Sequence, residues 1–165
     1  MPRIESPTPF EGPIARALDL AHERVEPVIV PVPVYADDRG WSIMNQFQGV
    51  LGPEGQINFS VQHPSVIKAW HRHQKQTDLW MCLHGHIKVG VHRDRDARSW
   101  MVVIGQMRPA IVIIPPSLWH GAATVGSEPA GLLYYVTRAF DPAHPDEERR
   151  AFDSVPEFPW GVQFR

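Results

Sequence analysis

Apolar positions along the chain change their period near residue 28. Before it, Ile14, Leu18 and Ala21 recur at helical spacing and Pro27 stops the run, which predicts a helix over Ile14–Arg24 packed on the outside of the domain. After it the period drops to two. Val28, Val30, Val32 and Val34 alternate with Ile29, Pro31, Pro33 and Tyr35. Two prolines that lack an N–H confine this segment to a sheet edge or an arm, so an edge strand is expected there. Beyond the turn Asp37-Asp38-Arg39-Gly40, short strands are expected at 41–47, 56–62, 66–73, 79–83, 86–92, 99–104, 111–114 and 132–137. The tail from Asp141 to Arg150 reads as a turn that starts a short acidic-to-basic helix. The alternating charges of Arg93-Asp94-Arg95-Asp96-Ala97-Arg98 read as a solvated hairpin turn.

Composition agrees with an all-β fold. Seventeen prolines and twelve glycines in 165 residues interrupt the chain too often for long helices. Many short strands in succession suit a double-stranded jelly-roll barrel with a short N-terminal helix, whose mouth can hold a ligand. The expected division is an arm and helix over 1–27 and a single barrel domain with its tail over 28–165. A formal charge of -2 leaves no positive excess for a nucleic-acid backbone or an anionic membrane, so neither is expected as a partner. The single Cys82 cannot form an internal disulfide, and no leader or membrane-length apolar run is visible, so a cytoplasmic setting is expected.

Strand alternation through Val66-Ile67-Lys68-Ala69-Trp70-His71-Arg72-His73 places Ile67, Ala69, His71 and His73 on one face and Lys68, Trp70 and Arg72 on the other. Two imidazoles then enter the barrel together. In an apolar space the neutral imidazole is favoured, which makes it available as a base or as a metal ligand. Asp78 follows His73 after four residues, and Gly85 follows Asp78 after six. Further on, Pro115-Pro116-Ser117-Leu118-Trp119-His120 sets another histidine after a turn. These spacings resemble the two cupin motifs, HxH(x)4E(x)6G and PxGxxH, with Asp78 in place of Glu and Ser117 in place of Gly. The resemblance implies a cupin barrel in which His71, His73, Asp78 and His120 could bind one divalent transition ion, since their nitrogen and oxygen donors suit Fe, Mn, Ni, Cu or Zn.

A second resemblance spans most of the chain. Arg39-Gly40, Gln56-Ile57-Asn58-Phe59-Ser60, Lys68-Ala69-Trp70-His71, Ile114-Pro115-Pro116-Ser117-Leu118-Trp119-His120-Gly121 and Leu133-Tyr134-Tyr135-Val136-Thr137 follow the order of segments in the dTDP-4-dehydrorhamnose 3,5-epimerase family, a cupin family that uses no metal. The resemblance implies proton transfer beside the ketone of a nucleotide-linked 4-keto-6-deoxy sugar, with His71 as base and Tyr134 as acid. Gln56, Asn58, His120 and Trp119 would contact the sugar. Lys68 and Arg39 would offer charge to the diphosphate, with Arg39 reaching across from a neighbouring subunit of a homodimer. The chain departs from that family at Asp78, which stands where the family has its enolate-stabilising lysine, at Phe140 in place of a second tyrosine, and at Met44 in place of an acidic residue. The family's aspartate that orients the base has no counterpart up to Arg165.

Three readings follow. The first is an epimerase-like enzyme without cofactor, the second a metal-dependent cupin acting on a small oxygenated substrate, and the third a sugar-binding cupin without catalysis. Trp70, Trp80 and Trp100 read as packing or interface residues. His84, His86, His92 and His144 read as surface or turn residues.

Overall fold

A computed structural model describes residues 4–162. In chain order the elements are β1 (Ile4–Glu5), β2 (Thr8–Pro9), α1 (Ile14–Arg24), β3 (Val28–Pro31), β4 (Tyr35–Asp37), β5 (Gly40–Ser42), β6 (Gln56–Gln62), β7 (Ile67–Arg72), β8 (Asp78–His84), β9 (His86–Arg93), β10 (Arg98–Gly105), β11 (Ala110–Ile114), β12 (Trp119–Val125), β13 (Ala130–Val136) and β14 (Glu148–Arg149). Two six-stranded sheets form, ordered β1-β10-β9-β12-β7-β14 and β2-β3-β11-β8-β13-β6, while β4 and β5 make a separate hairpin. This is the cupin jelly roll that the strand pattern predicts.

Alternation explains the three apolar layers. On β11, Val112 and Ile114 point between the sheets, whereas Ile111 and Ile113 point outward under α1. On β8, Trp80 and Cys82 face inward and Leu79 and Met81 outward. The helix forms where expected and seats the fully buried Ala17 and Ala21 on Val28 and Val30. The outer face of the other sheet is covered by Val155, Phe158 and Trp160, which pack on Trp70 and Trp119. Gly90 makes this possible, because a Cβ there would stand 2.5 Å from the Phe158 ring. Lys88 closes the cover by donating from Nζ to the carbonyls of Pro159, Trp160 and Gly161 at 2.7, 3.0 and 2.6 Å.

One long strand has no counterpart among those expected, and several expectations need correction. The segment 119–125 is a full strand between β9 and β7, although Gly121-Ala122-Ala123 has little intrinsic strand preference; pairing on both sides supplies it. The strand expected at 41–47 stops at Ser42. The tail forms β14 rather than a helix, because Trp70 and Arg150 exchange backbone hydrogen bonds at 3.0 and 3.1 Å. Finally, β3 is an edge only in its second half, since the two-residue β2 adds in parallel outside Val28 and Ile29; the sheet ends at β2 on one side and at β6 on the other. The charged run 93–98 does turn between β9 and β10, but Arg93 is buried and bonded to Asp96 and to the carbonyl of Val25, so it clamps the end of α1 instead of facing water.

On the β1 and β2 side, the space between the sheets is filled by Ile29, Val89, Val102, Ile104 and Val112. On the β6 and β14 side it holds a cavity of about 710 Å³. No described helix is long and apolar enough to cross a membrane.

Candidate functional site

The cavity depends on a break in alternation along β7. Register with β12 pairs His120 with His71 but Ala122 with Lys68, so β7 carries an extra residue between these pairs. Ile67, Ala69 and Trp70 therefore all join the outer layer under Phe158 and Trp160. Lys68, paired with the inward Ala122, turns into the cavity on the side of His71, where simple alternation places it on the opposite face; Ile67 and Ala69 also border the cavity. Gly121 lies against this bulge. A Cβ on it would stand 2.4 Å from Cβ of Ala69 and 2.6 Å from the carbonyl oxygen of Lys68, so only glycine allows the two strands to meet there.

His71 and His73 from β7 and its end, Asp78 from the start of β8, and His120 from β12 converge at the inner wall. One donor atom from each lies within 4.8 Å of the others. Ring centroids of His71 and His120 are 4.1 Å apart, and His73 is 5.6 Å from each. The turn carrying His120 passes through Ser117 at φ 72°, the left-handed conformation that explains why the cupin motif has glycine at this position. Ser117 N–H donates to the carbonyl of His73 at 2.7 Å, tying the two histidine-bearing segments together.

The ring protons are fixed by backbone carbonyls, which can only accept. His120 Nδ1 donates to Leu118 O at 2.9 Å and His73 Nδ1 donates to Asp146 O at 2.5 Å. Both rings are left with Nε2 toward Asp78, at 3.5 Å from Oδ2 for His120 and 3.9 Å from Oδ1 for His73. His120 Nε2 is buried with no hydrogen-bond partner. Asp78 is held in place by Gln76 Nε2 on Oδ1 at 2.7 Å and Trp80 Nε1 on Oδ2 at 3.0 Å. Burial pushes the Asp78 carboxyl up, but the nearby His120 and His73 rings and the hydrogen bond from Gln76 outweigh it and hold the group well below the usual carboxylate range. Burial first, and the neighbouring His120 second, push His71 down to about 2, so its imidazole is neutral at physiological pH.

Imidazoles whose Nδ1–H is bound to carbonyls, with their Nε2 atoms gathered around a fixed carboxylate, fit a divalent transition ion. The orphaned, buried Nε2 of His120 is the sign of that fit. Without positive charge between them, two nitrogen lone pairs and a carboxylate oppose one another unless a ring is protonated.

The remaining wall is polar on the β6 side and apolar above. Gln56 and Asn58 line the cavity and are linked to each other by a 2.8 Å side-chain hydrogen bond. Tyr134 faces inward from β13 and Tyr135 outward, as alternation predicts. Burial, then the charges of Asp78 and Glu147, raise the Tyr134 phenol above its ordinary value, which keeps it protonated. Glu147, just before β14, and Arg149 on it also line the cavity, and Arg149 pairs with His71 across the strands. Sequence reasoning passed over both. No pattern in Glu147-Glu148-Arg149-Arg150 marks them, because Arg150 lines the cavity as well and the two-residue strand exists only through its pairing with β7.

Of the residues expected against the sugar, His120 is buried and neither it nor Trp119 lines this cavity; Arg39, expected from a neighbouring subunit, lies away from this chain's own cavity. Arg39 lies on the exposed β4–β5 turn and pairs with Asp37, whose carboxyl it holds below the usual range. Trp119 points to the outer face, where its ring lies between the guanidiniums of Arg150 and Arg72 at 4.1 and 4.5 Å and its Nε1 donates to Asp94 at 2.7 Å. The odd phase of β12 that brings His120 inward necessarily sends Trp119 outward. Cys82 is buried, and burial pushes its thiol up to about 11, so it is chemically inert.

Residues 35–148 match the polysaccharide biosynthesis C-terminal domain family. The chain is 32% identical to the spore coat polysaccharide biosynthesis protein SpsL of Bacillus subtilis over 139 residues, which cover 79% of this chain and 92% of that protein. It is 38% identical over 101 residues to the probable low-salt glycan biosynthesis epimerase Agl13 of Haloferax volcanii, covering 58% of this chain and 65% of that one. Among solved structures it resembles a dTDP sugar isomerase from Desulfovibrio desulfuricans, with a TM-score of 0.73 at 24% identity over 83% of this chain and 92% of the other; at that identity the likeness speaks for the fold.

Proposed function

The chain belongs to the polysaccharide biosynthesis C-terminal domain family, and from that premise we propose that it is an epimerase acting on a nucleotide-linked 4-keto-6-deoxy sugar by proton transfer beside the ketone. One observation carries the reading: His71 and Tyr134 open onto the same cavity, together with the amides of Gln56 and Asn58. Epimerisation needs a group that removes a proton from carbon and another that returns one. A neutral imidazole can take the first role and a protonated phenol the second. Gln56 and Asn58 would bind sugar hydroxyls, while Lys68 and Arg149, both on the cavity wall, supply positive charge for a diphosphate.

Asp78 is the difficulty for a reading without a cofactor, because a carboxylate beside an oxygen that becomes negative opposes the reaction. The Nε2 geometry of His73 and His120 favours a divalent transition ion held by His71, His73, Asp78 and His120. When bound, such an ion supplies the positive charge that this position otherwise lacks. An ion held by all four residues would make His71 a ligand and remove it as the base, so this is a second reading beside the epimerase without cofactor, in which His71 takes the proton. Elemental analysis of protein purified without chelator tests this part: an ion near one equivalent supports it, and protein that takes up no added Zn or Mn removes it.

A homodimer is part of the proposal. The β6 edge is unpaired and presents Ile57, Phe59 and Val61 to solvent, an apolar stripe of the kind that a second copy covers. Arg39 on the protruding hairpin would then reach a neighbouring cavity. A cytoplasmic setting agrees with the single reduced cysteine. The function is tested by incubating purified protein with nucleotide-linked 4-keto-6-deoxyhexoses and following ring-proton couplings by NMR. A new epimer at C3 or C5 supports it, and unchanged sugars across the series sink it.

A further inference from the structure

We infer that Asp146 is the positioning residue of the His/Asp cluster, one clasp that sets both the ring of His73 and the turn leading to Asp78. Asp146 lies in the tail, far from the cluster in sequence, and neither motif contains it. Its Oδ1 accepts the backbone N–H of Gln74 at 3.0 Å, and its Oδ2 accepts those of Lys75 and Gln76 at 2.9 and 3.0 Å. Its main-chain carbonyl takes the Nδ1 proton of His73.

A single residue therefore satisfies three successive N–H groups in the turn between His73 and Asp78, and also decides which nitrogen of His73 is free. The effect reaches Asp78 through one more link, because Gln76, whose backbone Asp146 holds, donates its side-chain amide to Asp78 Oδ1. A carboxylate that accepts several backbone N–H bonds is a strong, directional anchor. Partners of this kind, behind the atoms that ligate, fix ring orientation and nitrogen basicity. Glu148, two residues on, points to the other face and holds Arg72 and Gln74 through its side chain. It anchors the same strand without touching the ligating atoms.

The inference rests on the ion reading for one readout and is independent of it for the other. In metal-free protein, long-range proton–nitrogen spectra should show His73 protonated on Nδ1. Asp146→Ala should give a mixture of tautomers, Asp146→Asn should keep most of the Nδ1 form, and Glu148→Gln should leave it unchanged. Zn affinity by chelator competition should fall about 10- to 100-fold in Asp146→Ala and by less than about twofold in Glu148→Gln. Asp146→Ala with wild-type tautomer and affinity overturns the clasp, and so does an equal loss in Glu148→Gln, which would mean only that β14 needs anchoring. If the wild type binds no Zn, the ion reading falls and the tautomer comparison alone decides the clasp.

Discussion

The two sides of the barrel are built from the same sheets by the same alternation, yet they end in opposite ways. Toward β1 and β2 the inward positions are aliphatic: Ile29, Val89, Val102, Ile104 and Val112 fill the space. Toward β6 and β14 the inward positions are Gln56, Asn58, Lys68, His71, Tyr134 and Arg149, and the space stays open. The packed side holds the sheets at a fixed spacing, and the open side uses that spacing to point polar groups at one another. Stability and chemistry are thus divided between the two sides, so substitutions on each should change different observables.

The largest expected effect is on the open side. Tyr134→Phe should lower the epimerisation rate by about 10²- to 10⁴-fold, the range for loss of a proton-transfer group, with an unchanged melting temperature. Equal activity in the variant would take Tyr134 out of the reaction. On the packed side, Ile104→Ala should cost about 2–5 kcal/mol in denaturant unfolding, through lost burial and the cavity left behind, while kcat/KM well below the melting point stays near wild type. A parallel loss of activity would mean that the two sides are not separable.

Gly121→Ala should affect both. Its Cβ would meet Ala69 and the Lys68 carbonyl, forcing β7 from β12 at the bulge that brings Lys68 inward. A stability loss of about 1–3 kcal/mol is expected, together with a raised KM because Lys68 shifts from the cavity wall. The smallest effect concerns the β9–β10 turn. Asp96 is held down to about 2, chiefly by its hydrogen bond from Arg93. A carboxylate depressed in the folded state contributes stability that is fully present above its unfolded value, about 3.9, and is lost as pH falls through the folded value. Because the pair is partly exposed, Asp96→Asn should lower stability by less than about 1 kcal/mol at pH 6, and the difference should vanish near pH 2 in thermal melts.

Legibility in the sequence follows the same division. The packed side could be read from alternation alone, because each of its strands keeps one phase from end to end. The convergence of His71, His73, Asp78 and His120 could be read from motif spacing. The entry of Lys68 could not, since the bulge is an event between two strands and the second, β12, hides its strand character in Gly121-Ala122-Ala123. Arg149 and Glu147 were equally hidden, because a two-residue strand has no pattern of its own and exists only by pairing with β7. Trp119 misled for a simpler reason: adjacency to His120 in sequence means opposite faces in a strand.

The central claim, that the open side performs proton transfer at a carbon beside a ketone, is tested most directly by solvent exchange. Purified protein incubated in deuterium oxide with a nucleotide-linked 4-keto-6-deoxy sugar should wash deuterium into C3 or C5, even where equilibrium leaves little net epimer, and Tyr134→Phe should slow the exchange. Sugars recovered without deuterium after prolonged incubation at high protein concentration would contradict the account.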